Sequence, residues 1–172
     1  MATKAEIAEK FWKALKSDRT VMLGLAGVEE GQTQPMTAIL EEDAQDIGAG
    51  PIWFFTATDT DLVKAMGAEQ RAVLHFASKG HELFASVHGE LVRDNDRGAI
   101  DRLWNRFIAA WYQGGKDDPK LQLLRFTPEH AQIWLNEHSL VAGVKLLLGG
   151  DPKSDYKNKV AEMNLDRGVS RQ

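Results

Sequence analysis

The chain has 172 residues, 43% of them hydrophobic, and a formal net charge of -4, with a pI near 5.7. Its Lys and Arg are dispersed, which argues against a nucleic-acid partner, and its apolar runs fall short of the roughly 20 residues needed to cross a bilayer. The absence of cysteine excludes disulfides, thiolate metal sites and cysteine nucleophiles, in keeping with a reducing cytoplasm.

Met1 to Lys10 alternates charge with alanine and has no apolar stretch of the secretory kind. No Pro/Gly/Ser-rich linker interrupts the chain, so one domain is expected over 1–150, followed by a polar extension over 151–172.

Thr3-Lys4-Ala5-Glu6 reads as a capping box. Ile7, Phe11, Trp12 and Leu15 then share one helical face, which predicts a helix over about 4–15. A short apolar strand over 21–26 leads through Glu29-Glu30-Gly31 to a return strand over 34–40, and the acidic stretch 41–50 reads as a loop. Pro51-Ile52-Trp53-Phe54-Phe55-Thr56 has the bulk of a buried strand, and the Thr/Asp cluster behind it caps a short helix over 61–66. A strand-to-helix bend of this kind gathers N–H groups and hydroxyls at one spot, the chemistry that holds a phosphate.

Strands follow over 72–77 and 83–92, with Gly89 as a bulge or closure point. Asp94 or Asp96 caps one long helix carrying Ile100, Leu103, Trp104, Phe107, Ile108 and Trp111 as far as Gly114-Gly115. Its apolar face is expected on the sheet or partly against a second subunit. A strand over 121–126, a turn at Pro128, an edge strand over 131–135, a short helix over 141–148 and an extended tail complete the chain. The fold class is mostly β with flanking helices (α+β), the strands forming an antiparallel barrel or sandwich.

Five pieces in this order carry a family likeness: Gln34-Pro35-Met36-Thr37; Ile52-Trp53-Phe54-Phe55-Thr56; Phe84-Ala85-Ser86-Val87-His88-Gly89; Leu103-Trp104 with Trp111-Tyr112-Gln113-Gly114-Gly115; and Asp118-Pro119-Lys120-Leu121-Gln122-Leu123-Leu124. Together, over about 10–148, they resemble the general stress protein class of pyridoxamine 5′-phosphate oxidase-like FMN-binding split barrels. The resemblance implies an antiparallel split β-barrel that forms a homodimer, with FMN held noncovalently at the subunit interface. Gln34 stands where the family pattern has Arg, ahead of Pro35-Met36. The family's aromatic-aromatic-Thr matches Phe54-Phe55-Thr56, and its Ser matches Thr60. Its Lys falls on Leu62, and Lys64, about 200° further around the helix, is the nearest substitute; Arg71 and Lys79 are weaker ones. The cofactor site so implied comprises Gln34, Met36, Thr37, Phe54, Phe55, Thr56, Thr60, Lys64, Ser86 and Trp111.

Six of these residues have a plainer reading beside the functional one. Phe54 and Phe55 suit a core, leaving the backbone to meet the ligand. Thr60 suits an N-cap, Thr37 a strand hydroxyl, Ser86 a small barrel-interior residue, and Trp111 core or interface. Spacing among the five histidines supports no metal site. Hydrolase, Walker and dinucleotide glycine motifs are absent from the sequence.

FMN brings its own redox chemistry, so no acid–base pair is required and no catalytic residue is assigned. Two functions follow: a flavin-dependent oxidoreductase acting on a small molecule the sequence does not name, or a flavin-binding module without turnover. Pyridoxamine 5′-phosphate oxidase activity itself is disfavoured, because the basic motifs of that enzyme are not matched.

Overall fold

The computed structural model describes residues 2–28, 30, 32–41, 50–136 and 160–165. Helix α1 spans Lys4–Asp18 and is held by the expected capping box: Thr3 N donates to Glu6 Oε2 at 2.6 Å, and Glu6 N donates to Thr3 Oγ1 at 3.2 Å. Its buried face, Ile7, Phe11, Trp12 and Leu15, closes over the sheet interior, where the Phe11 ring meets Phe76 edge-on at 6.1 Å.

The strands are β1 (Thr20–Leu25), β2 (Gln34–Thr37), β3 (Ile52–Ala57), β4 (Glu69–Ala77), β5 (Leu83–Arg93), β6 (Leu121–Leu135) and β7 (Val160–Asn164). They form one antiparallel sheet in the order β2-β1-β4-β5-β6-β3, with β7 also on β6. Ile39 and Trp53 exchange two backbone hydrogen bonds of 2.9 Å, so the far edges meet and the sheet curls into a barrel. Alternation decides what fills it. Leu23, Leu74, Val87, Leu91, Leu124, Phe126 and Ile133 point inward with Phe54 and Ile52. Short helix α2 (Asp61–Ala65) adds Leu62 and Val63, both wholly buried.

Gly89 marks the register shift between β5 and β6, where it faces Pro128. A Cβ on Gly89 would stand 2.2 Å from the Thr127 carbonyl oxygen, so only glycine permits this approach. Pro128, expected as a turn, instead lies within the continuous strand β6, its missing N–H falling at the bulge. Residues 131–135 are therefore not an edge, because β5 flanks them on one side and β7 on the other. Within the polar extension, Val160–Asn164 is that seventh strand and buries Ala161 and Met163 in the main core.

The single long helix expected after Asp96 is two. Asp96 Oδ2 accepts from Ala99 N at 2.6 Å and caps α3 (Arg97–Leu103). The chain then turns extended at Trp104, and Asn105 Oδ1 accepts from the Phe107 and Ile108 amides to start α4 (Arg106–Ala109). The break sends Ala99, Ile100, Leu103, Ile108 and Tyr112 onto Trp53, Leu121 and Leu123, a second core outside the barrel wall. Phe107 and Trp111 are left 70% and 85% exposed. The helix expected over 141–148 lies outside the described residues.

Candidate functional site

The strand-to-helix bend is built as the sequence implies. Thr60 Oγ1 donates to the Ala57 carbonyl at 3.0 Å and accepts from Val63 N at 3.4 Å, so its hydroxyl caps α2. The Thr58 amide donates to the Lys120 carbonyl at 2.9 Å, which ties the bend to the start of β6. That tie places a cation the sequence did not reveal: Lys120 Nζ lies 2.9 Å from Asp59 Oδ2. Lys120 holds the Asp59 carboxyl below its usual range, and Asp59 raises Lys120 in turn. Both groups are exposed, so an incoming anion has access to the lysine. Asp118 keeps the turn before Lys120 in shape, accepting from the Gly114 and Lys120 amides at 2.9 Å each.

The expected site residues fall into separate places. Gln34, Met36, Phe54 and Thr56 share the inward face of β2 and β3; Phe54 is wholly buried, while Gln34 stays half-buried with its Nε2 3.2 Å from Met36 Sδ. Thr56 is buried as well, and its carbonyl accepts a 2.7 Å hydrogen bond from the Tyr112 hydroxyl. Phe55 faces the other way, its ring 5.9 Å from Trp104 and 6.4 Å from Tyr112. Burial, with Asp118 nearby, pushes the Tyr112 phenol up to about 12.

Ser86 does not face the barrel interior, because it alternates with the buried Ala85 and Val87 and so lies on the outward face of β5, between His75 and Gln132. It belongs to a cross-strand row on the outer face, Pro35, Met22, His75, Ser86, Gln132 and Glu162, whose next row along carries Thr20 and Thr37. Lys64 is exposed, and Leu62, where the family pattern has lysine, is wholly buried under α2. Trp111 stands in solvent. The bend thus brings together Thr58, Asp59, Thr60 and Lys120, while Thr37, Ser86 and Trp111 face outward elsewhere. Among the described residues no group of three His, Asp or Glu is disposed to hold a metal ion. None of their helices is long and apolar enough to cross a membrane.

Comparison with known proteins decides the lineage. The family model described as pyridoxamine 5′-phosphate oxidase like matches residues 6–149. The chain belongs to the pyridoxamine 5′-phosphate oxidase-like family. A crystal structure of the general stress FMN/FAD binding protein from Xanthomonas citri is similar at 58% identity and a TM-score of 0.72, covering 80% of this chain and 94% of that one. A protein assigned to the general stress family from Xanthomonas campestris pv. campestris also has 58% identity, with a TM-score of 0.73 over 81% of this chain and 94% of that one. General stress protein 26 from Jannaschia sp. CCS1 has 30% identity and a TM-score of 0.71, covering 93% and 99%. No curated protein matches the chain. As a member of the pyridoxamine 5′-phosphate oxidase-like family it has the antiparallel split-barrel fold that its sequence resembles, with the helices on the outside.

Proposed function

We propose that this protein binds FMN, with the cofactor's phosphate at the bend between β3 and α2 and its ring along β2 and β3. The observation that carries the reading is the 58% identity, over nearly the whole of the relative, to a protein named as FMN/FAD binding. The bend supports it locally. Thr58 and Lys120 offer a hydroxyl and an ammonium to an anion, Thr60 caps α2 beside them, and Lys120 supplies a positive charge that Leu62 lacks. Trading the Asp59 carboxylate for a phosphate keeps Lys120 paired.

The reading includes a homodimer. Its support is the solvent-facing Phe107 and Trp111, large apolar side chains that a partner would cover, and the outer sheet row that holds Ser86, next to the row with Thr37. In such a dimer Trp111 would reach the flavin of the other subunit. The bound flavin would supply hydride and electron transfer; this chain's residues would bind the phosphate, orient the ring and limit what reaches it.

Two activities are compatible with that arrangement: reduction of a small molecule by the flavin, and binding without turnover. Purified protein should show the flavin absorption bands, or acquire them on adding FMN. Anaerobic mixing with NADH or NADPH then separates the two, since saturable bleaching of the bound flavin marks an oxidoreductase and an unchanged spectrum a binder. Failure to take up flavin at all would overturn the reading.

A further inference from the structure

A concavity of about 380 Å³ opens where the end of α1, the chain just after β2 and the end of α3 meet. It lies further along β2 than the residues assigned to the flavin, toward the Ile39–Trp53 closure. Among the described residues its walls combine Ile39, Leu103 and Trp104 with three cations, Lys16, Arg19 and Arg102, against the single carboxylate of Glu41. Glu41 Oε1 is already engaged, accepting from Trp53 Nε1 at 3.0 Å and from Arg102 Nη2 at 3.3 Å. The Glu41 carboxylate is thus paired with Arg102, which also lines the cavity. Among the described residues Lys16 and Arg19 have no acidic partner.

Arg19 is unusual in its backbone as well. It ends α1 at φ 60°, the left-handed region in which glycine is the ordinary choice. Its Nε donates to the Lys16 carbonyl at 3.2 Å, which settles the side chain back over the helix end and leaves the rest of the fork unclaimed. The size is that of a small-molecule site, and its lining mixes apolar and charged side chains.

We propose that this cavity binds a small organic anion, a carboxylate attached to a flat apolar body, with Lys16, Arg19 and Arg102 on the carboxylate and Trp104 with Leu103 against the body. The inference stands apart from the flavin reading, because none of these residues was assigned to the flavin and binding here requires no cofactor.

Isothermal titration of the full chain with naphthalene-2-carboxylate, and with naphthalene-2-carboxamide as its neutral counterpart, tests it. The carboxylate is expected to saturate one site per chain and to bind about tenfold more tightly than the amide, as charge-assisted hydrogen bonds require. Lys16→Gln and Arg102→Gln should each weaken the carboxylate by about fivefold and leave the amide unchanged; both positions are exposed, so the fold is retained. Trp104→Ala should weaken both probes. Equal affinity for acid and amide, carboxylate binding indifferent to Lys16→Gln and Arg102→Gln, or no binding of either probe would each overturn the proposal. Repeating the titration with flavin-free and flavin-loaded protein keeps this outcome separate from that of the cofactor.

Discussion

The Tyr112 hydroxyl donates a 2.7 Å hydrogen bond to the carbonyl oxygen of Thr56, joining the segment after α4 to the last turn of β3 before the bend. This one bond connects the outer helical layer to the strand end from which the proposed phosphate dock is hung. Tyr112→Phe removes the donor and keeps the ring against Phe55 and Trp104. It should lower stability by about 1 kcal/mol, read as a shift in the urea midpoint, with the fold intact.

The same pair predicts a pH dependence. Folding raises the Tyr112 pKa from its ordinary 10.0 to about 12, so its contribution is complete below pH 10 and is lost as the pH climbs toward 12. The stability gap between wild type and Tyr112→Phe should therefore narrow over that window and stay constant between pH 6 and 9. Urea unfolding at a series of pH values measures it; a gap that widens in alkali would show that the phenol is not held neutral.

Gly89→Ala is expected to be severe. The added Cβ would meet the Thr127 carbonyl oxygen at 2.2 Å and the Phe126 ring at 2.9 Å, and the carbonyl is fixed in the β5–β6 ladder. A loss of about 3 kcal/mol or more is expected by thermal melting; a melt like that of wild type would mean that the bulge can relax.

Thr60 separates structure from binding. Thr60→Ala removes the α2 cap and should cost about 1 kcal/mol, whereas Thr60→Ser should restore the cap. Under the flavin reading, FMN affinity follows the same order, and equilibrium dialysis against FMN checks it independently of the melt.

Phe107 and Trp111 provide the test of assembly. Replacing both by serine should leave the monomer's core untouched, since they are 70% and 85% exposed. Sedimentation should then show a dimer for wild type and dissociation of the double variant; equal sedimentation of the two would remove these side chains from the interface.

Much of the fold was legible because it rests on local patterns. The alternation along Leu83–Arg93, the capping box of Thr3 and Glu6 and the glycine at the bulge each follow from nearest-neighbour physics. The split of α3 from α4 was missed for a definable reason: the apolar stripe continues in helical period through Trp104 and Phe107, and it outweighed Asn105, whose side chain is a good cap and a poor helix-interior residue. Pro128 was misread because proline in a strand is tolerated only at an irregularity, and that irregularity is made by Gly89 on another strand. The candidate site was legible at the bend, where Thr60 caps as expected. Lys120 was not, since it reaches Asp59 only through the pairing of β3 with β6, across 61 residues of sequence.

The central claim, a dock for a phosphate-tailed ring at the bend beside Lys120, is tested most directly by titrating the protein with FMN and with riboflavin, which lacks the phosphate, in wild type and in Lys120→Met. The account predicts that wild type binds FMN at least about tenfold more tightly than riboflavin, and that Lys120→Met narrows the difference by weakening FMN alone. Equal affinity of wild type for the two flavins, or an FMN preference untouched by Lys120→Met, would contradict it.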